Sequence, residues 1–284
     1  MYKSVLLAVD ASRYSEVCMR YALEYSKWLG AQITILSVVD RKEFAIVYPY
    51  YYPTADFPPV FDESVFEKNE LLSKQWERAE NLLNRIQEEC RKAGLTARCE
   101  IREGIVTDMI LEEAKCCDLL FLGQRGAGAD FSTGLLGSNL ESVIRRSDIP
   151  VIVTPHSYRT LQRILVCFDG GEYSVKTLRS AAHLYACCPH NSIKMKLLVV
   201  HEDEIEARQV ADKALKYLDA YQLRDILEIR QGDPAEQIVA AAKEDDVDLV
   251  AMGAYGHARV RELVLGSTTE CVLRNINRAV LLQH

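Results

Sequence analysis

Apolar residues are plentiful in this chain, but no run of them approaches the roughly 20 residues needed to span a bilayer, so no membrane role is expected. The opening residues carry one lysine and a short apolar stretch that stops at Asp10, too short for a secretory core, and the expected location is the cytoplasm. Proline is scarce: there are eight residues in 284, and four of them crowd between Arg41 and Asn69. The rest of the chain is free to build long regular elements. The nine cysteines, Cys18, Cys90, Cys99, Cys116, Cys117, Cys167, Cys187, Cys188 and Cys271, are odd in number and show no Cys-x-x-Cys spacing. That pattern argues for reduced thiols and against a disulfide framework. Positive charge is in deficit, with 34 Lys and Arg against 41 Asp and Glu, and the net charge of -7 repels phosphate backbones, so no nucleic-acid partner is expected.

Several catalytic signatures are also missing. There is no Gly-Lys-Ser/Thr P-loop, no His-Glu-x-x-His and no Gly-x-Ser-x-Gly elbow. A dinucleotide fold would need Gly-x-Gly-x-x-Gly after its first strand, where Asp10-Ala-Ser-Arg and Asp169-Gly-Gly-Glu stand instead.

What the chain does have is itself, twice. Lys3-Ser-Val-Leu-Leu-Ala-Val-Asp10 recurs as Arg163-Ile-Leu-Val-Cys-Phe-Asp169, and each aspartate is followed at the same distance by a Tyr-Ser pair, Tyr14-Ser15 and Tyr173-Ser174. Asp118-Leu-Leu-Phe-Leu-Gly-Gln-Arg-Gly126 returns as Asp248-Leu-Val-Ala-Met-Gly-Ala-Tyr-Gly256, and Gly137-Ser138 as Gly266-Ser267. Hydrophobic residues make up 49% of the chain, charged ones 26% and aromatic ones 8%, as in soluble globular proteins, and the length suits about two domains. The boundary follows Val153-Thr-Pro155, giving domains 1–156 and 157–284 that pack as an intramolecular pseudo-dimer, with further homo-oligomerisation left open. The first copy carries an insertion, about 41–69. Its proline-rich part excludes regular helix and central strand, and it reads as a surface loop covering the sheet edge or domain interface, or as a lid.

Within each copy, short apolar runs alternate with segments of helical period, the pattern of an α/β fold with an open parallel sheet and helices on both faces. Strands are expected near 3–9, 32–38, 96–102, 118–123 and 150–154, and again near 162–168, 194–200, 225–230, 248–253 and 278–282. Leu72, Trp76, Ala79, Leu83, Ile86 and Cys90 form one apolar helical stripe.

In such a sheet, ligands bind beyond the carboxyl ends of the strands. There the second copy places Gly253-Ala-Tyr-Gly256, then nine residues, then Gly266-Ser267-Thr268-Thr269 opening a helix. Glycines let phosphate oxygens approach backbone N–H groups and suit turns of positive φ, while the helix N-terminus adds donors and partial positive charge. Ser267 and either Thr268 or Thr269 can donate hydroxyls to a phosphate or cap the helix.

These residues resemble the nucleotide-binding universal stress proteins, whose pattern is Gly-x2-Gly-x9-Gly-Ser/Thr, and Gly253, Gly256, Gly266 and Ser267 match it without a gap. The likeness covers essentially the whole chain as a tandem, and Gly232-Asp-Pro is similar to the family as well. It implies two Rossmann-like domains of the adenine nucleotide α-hydrolase type that bind ATP, or AMP or ADP, with Mg²⁺ carried on the phosphates. It also implies that Asp169 meets the adenosine end, that Val200 touches the adenine and that Met252 lines the same pocket. The first-domain counterparts are Asp10, Val38, Leu122, Gly123, Gly126, Gly137, Ser138 and Asn139. Ten residues instead of nine separate Gly126 from Gly137 there, with Gly128 and Gly134 able to absorb the extra one and Arg125 available to an anion.

The resulting expectation is a stress-response regulator that changes its domain or partner arrangement on binding adenine nucleotide, with no dedicated catalytic residue. Two alternatives stand beside it. One is a slow ATP-hydrolysing enzyme using His257. The other is a nucleotide-free scaffold that joins domains or chains through strand edges such as 278–282. His183, Cys187, Cys188 and His190 form a separate candidate metal group, since His183 and Cys187 share a helix face.

Overall fold

The computed structural model describes residues 2–40, 63–126, 136–188, 193–223, 226–255 and 265–284. The ten expected strands are all present, with ends shifted by no more than two residues. In the first half they are β1 (Ser4–Val9), β2 (Gln32–Asp40), β3 (Ala97–Gly104), β4 (Leu119–Gly123) and β5 (Val151–Thr154). The second half contains β6 (Arg163–Cys167), β7 (Lys194–Val200), β8 (Leu227–Arg230), β9 (Leu249–Gly253) and β10 (Ala279–Gln283). Between them lie α1 (Arg13–Leu29), α2 (Glu63–Lys92), α3 (Val106–Ala114), α4 (Ser138–Arg146), α5 (Glu172–Cys187), α6 (Glu204–Asp219), α7 (Pro234–Glu244) and α8 (Ser267–Asn275).

The two halves form one ten-stranded sheet, ordered β3-β2-β1-β4-β5-β10-β9-β6-β7-β8. Its strands pair in parallel everywhere except at the centre, where β5 meets β10 antiparallel with Ile152 opposite Leu281. The edge 278–282 is therefore closed within the chain, with β5 on one side and β9 on the other.

Each strand reads to two faces, as its pleat requires. Val5, Leu7 and Val9 enter one core with Cys18, Tyr21 and Tyr25 of α1 and Ile86 of α2, and α5 and α6 continue that core in the second half. Leu6 and Ala8 enter the opposite core with α3 and α4, continued by α7 and α8. The stripe on α2 is buried from Ala79 onward but only half-buried at Leu72 and Trp76. Thirty residues of helix extend about 45 Å, beyond the roughly 30 Å of nine-residue β2. The proline-rich insertion 41–62 lies outside the described residues, but the span read as irregular ends early, because helix begins at Glu63.

The repeated Asp118 and Asp248 work at the sheet's amino edges. Asp118 Oδ2 accepts the N–H groups of Lys3 and Ser4 (2.7 and 2.9 Å), and Asp248 Oδ2 accepts those of Gln162 and Arg163 (2.9 and 3.0 Å). Asp248 Oδ1 also accepts Arg159 Nε–H at 2.9 Å, while the Arg159 backbone N–H donates to the Tyr21 hydroxyl at 3.0 Å. Tyr158 bonds to Glu24 and lies under the Arg20 guanidinium. The short connection is thus fastened to both halves. Asp246, hydrogen-bonded by Arg159 and faced by Arg278 and Arg163, is held below the usual carboxylate range.

All nine cysteines are free thiols, and burial pushes Cys18 up to about 12 and Cys90 to about 11. Among the described residues, no helix is long and apolar enough to cross a membrane.

The Asp248 clasp yields a prediction. Asp248→Ala removes the acceptor of two part-buried backbone N–H groups and leaves Arg159 with Asp246 alone, and the expected cost is about 2 kcal/mol. Denaturant unfolding followed by tryptophan fluorescence should show the midpoint falling accordingly, and an unchanged midpoint would remove the clasp from the account of stability.

Candidate functional site

In each half the strand order reverses between the first and fourth strands. The chain leaves β1 for α1 on one face and β4 for α4 on the other, so a crevice opens between their carboxyl ends. β6 and β9, with α5 and α8, repeat the arrangement.

Asp10 follows β1 directly. Its Oδ1 accepts Ser12 N–H (3.0 Å) and Ser15 Oγ–H (2.8 Å), which brace the turn into α1. Asp169 stands at the same place after β6 and accepts Gly171 N–H at 2.8 Å. In each carboxylate Oδ1 braces the turn that follows. The other oxygen of Asp10 faces the fourth-strand loop, since a Cβ on Gly126 would lie 2.6 Å from Asp10 Oδ2. A side chain at Gly126 would have to displace that carboxylate.

A second close approach explains two of the repeats together. A Cβ on Gly123 would come 2.9 Å from Tyr14 Cβ, and one on Gly253 would come 3.0 Å from both Tyr173 Cβ and Ser174 N. The recurring glycine and the recurring Tyr-Ser pair are thus the two sides of one contact, between the end of the fourth strand and the first turn of the helix after the first. None of Gly123, Gly126, Gly137, Gly253 or Gly266 has positive φ. This corrects the expectation of left-handed turns: at Gly123, Gly126, Gly253 and Gly266 close approach, not handedness, accounts for glycine.

Gly137 and Gly266 are the N-caps of α4 and α8, and neither helix has a side-chain cap. Ser138 opens α4 and Ser267 opens α8, where Ser267 is exposed and Thr268 half-buried. Thr269 is turned inward: its hydroxyl donates to the carbonyls of Gly253 and Ala254 (3.3 and 3.1 Å). Of the two threonines offered as phosphate donors, Thr269 instead latches the helix to the strand end. Asn139 Oδ1 accepts from the Thr107 hydroxyl at 3.3 Å.

Val38 and Val200 are half-buried against the core beneath the crevice, and Leu122 and Met252 are buried within it. β7 ends at Val200 as expected, whereas β2 continues two residues past Val38 to Asp40. Gly256, His257, Gly128 and Gly134 lie outside the described residues.

At the candidate metal group, His183 Nε2 accepts the Tyr2 N–H at 3.2 Å and lies 3.8 Å from Cys187 Sγ. Burial lowers the His183 pKa. Among the described residues, which exclude His190, no three His, Cys, Asp or Glu side chains gather to hold a metal ion.

One residue of the first loop escapes motif reading. Gln124 Nε2 donates across the domain boundary to the carbonyl of Leu273 in α8. The signal was the disagreement between copies, since the second loop has Ala254 at that position.

The sequence model described as Universal stress protein family matches residues 1–155 and again 160–284. The chain belongs to the universal stress protein family. Universal stress protein Slr1230 of Synechocystis is 27% identical over 288 residues, covering 98% of this chain and 99% of that protein. Universal stress protein MJ0577 of Methanocaldococcus jannaschii is 35% identical over 78 residues, which is 27% of this chain and 47% of the relative. Among solved structures, a universal stress protein from Archaeoglobus fulgidus has the same fold at 24% identity, with a TM-score of 0.75 over 99% of this chain and 95% of its own. The tandem of two universal stress protein domains in one chain is thus shared along the full length of the Synechocystis relative.

The glycine contacts can be told apart by substitution. Gly126→Ala drives a methyl group into the Asp10 carboxylate and should cost about 1–3 kcal/mol. Gly137→Ala meets nothing closer than 3.6 Å and should cost less than about 1 kcal/mol. Thermal unfolding of the two variants should rank them in that order, and the reverse order would refute the packing argument.

Proposed function

We propose that this protein is an adenine-nucleotide-responsive stress regulator. It takes ATP, or AMP or ADP in its place, in the crevice of its second domain and, through the longer loop, in that of its first. One recurrence carries the reading. In both halves, a helix that starts at a glycine without a side-chain cap begins beside the carboxyl end of the fourth strand, at the switch point where the first-strand aspartate stands.

Three helices carry side-chain caps, Ser12 on α1, Asp203 on α6 and Asp233 on α7, whereas α3 at Ile105 and α5 at Gly171 lack one, as α4 and α8 do. At α4 and α8 the first-turn N–H groups have no such partner, and a phosphate oxygen supplies what a capping oxygen supplies elsewhere. Family membership and the ungapped Gly-x2-Gly-x9-Gly-Ser spacing support the same assignment.

Under this reading, Asp169 and Asp10 accept hydrogen bonds from ribose hydroxyls or the adenine amino group, and Val200, Val38, Met252 and Leu122 supply apolar wall and floor. Mg²⁺ would ride on the phosphates without dedicated carboxylates. The nucleotide acts through a difference in affinity between two arrangements of domains or partners.

A substitution at Gly266 would confuse packing with binding, because its Cβ would lie 3.1 Å from Ala254 O. Ser267→Glu is cleaner: an exposed carboxylate at the first residue of α8 favours the helix by about 0.3–1 kcal/mol and repels a phosphate. Denaturing the purified protein and counting released nucleotide by chromatography with mass spectrometry should give one or two adenine nucleotides per chain. ATP at a hundredfold excess over Kd should add about 2.7 kcal/mol of stability. Calorimetric titration of Ser267→Glu should then lose the second-domain site. Unchanged stoichiometry and affinity in that variant would overturn the site, and absence of any ATP effect would leave the scaffold reading in its place.

A further inference from the structure

The antiparallel join of β5 and β10 sends the carboxyl ends of the two halves to opposite edges of the sheet. Helix α8 starts at the second crevice, at Gly266-Ser267, and runs back alongside the sheet. Its nine residues cover about 14 Å and end on the edge where the first crevice lies. There the carbonyl of Leu273, in the last turn, receives the Gln124 side-chain N–H. Carbonyls of a helix's last turn have no partner further along the helix, so Gln124 acts as a cap delivered from the other domain.

Gln124 is held on three sides. Its backbone N–H donates to Thr154 O of β5 at 2.9 Å, its carbonyl accepts the N–H of Gly137, the N-cap of α4, at 3.4 Å, and its side chain reaches α8. The residue therefore joins the helix start of one candidate phosphate site to the rear of the helix that forms the other. The link exists once: at the equivalent position Ala254 has no side chain to reciprocate, and its N–H donates to Gln283 O within its own half at 3.1 Å.

We infer that Gln124 couples the two nucleotide sites, so that a ligand in one domain tightens binding in the other; this rests on the nucleotide reading above. A phosphate that steadies the start of α4 also steadies the amide that holds α8, and a phosphate on α8 prepays part of the ordering of residues 123–126. One hydrogen bond suffices for both directions, because coupling free energies are reciprocal. Gln124 is a positioning residue, acting through α4 and α8.

The test is hydrogen exchange in the full-length Ser267→Glu protein, where ATP is confined to the first domain. Saturating ATP should slow amide exchange at 123–126 and at the start of α4, and should also slow exchange in α8 about fivefold. Gln124→Ala, which copies Ala254, should abolish the α8 response. Gln124→Glu, which keeps the shape but turns a carboxylate oxygen toward the Leu273 carbonyl, should do the same. Slowing at the first-domain amides with no α8 response in the Gln124 protein would overturn the coupling while leaving the nucleotide reading intact. An α8 response that survives both substitutions would also overturn it. No response at any amide would mean that the first domain does not bind ATP, and both readings of that domain would fall together.

Discussion

The pairing of β5 with β10 is the contact on which the rest of the molecule depends. Three aligned positions, Val151 with Leu282, Ile152 with Leu281 and Val153 with Val280, merge two sheets into one. All six side chains are buried, so the seam is also the middle of both cores. Since each pair faces one side of the sheet or the other, the apolar layers on both faces run from one half into the next without a polar break. The join is thereby built as an interior shared by both halves.

Around that seam, polar side chains bond the backbone donors and acceptors at the strand ends. Asp118 and Asp248 close the amino edges, and Thr154 and Thr269 bond carbonyls at the ends of β4 and β9. The carboxyl edges between first and fourth strands are where the helices α4 and α8 begin on glycine instead.

Much of this was legible in the chain of letters, because strand and helix leave different periods and because the second copy checks the first. The apolar runs around Leu6 and Leu165 located strands, and the glycine spacing pointed to the loops that follow β4 and β9. The physical reason for the glycines was not legible: positive φ and close contact demand the same residue, and only coordinates show Tyr14 against Gly123. The purpose of Asp248 was hidden because its partners are chiefly backbone N–H groups and an arginine far away in sequence. Thr269 and Thr268 look alike on paper, and the helix turn alone decides which faces inward. Gln124 was invisible to any motif shared by the copies, since it is where they differ.

That difference follows from writing both halves in one chain. Two identical domains assembling from separate molecules would each carry a glutamine at this loop, or each an alanine, and every contact across the twofold would appear in duplicate. Joined covalently, the halves meet at any dilution and are free to specialise, so a bond such as that from Gln124 to Leu273 can be made once and given a sense of direction. Fusion here does more than hold a pair together: it turns an axis of symmetry into a place where asymmetry can be inherited.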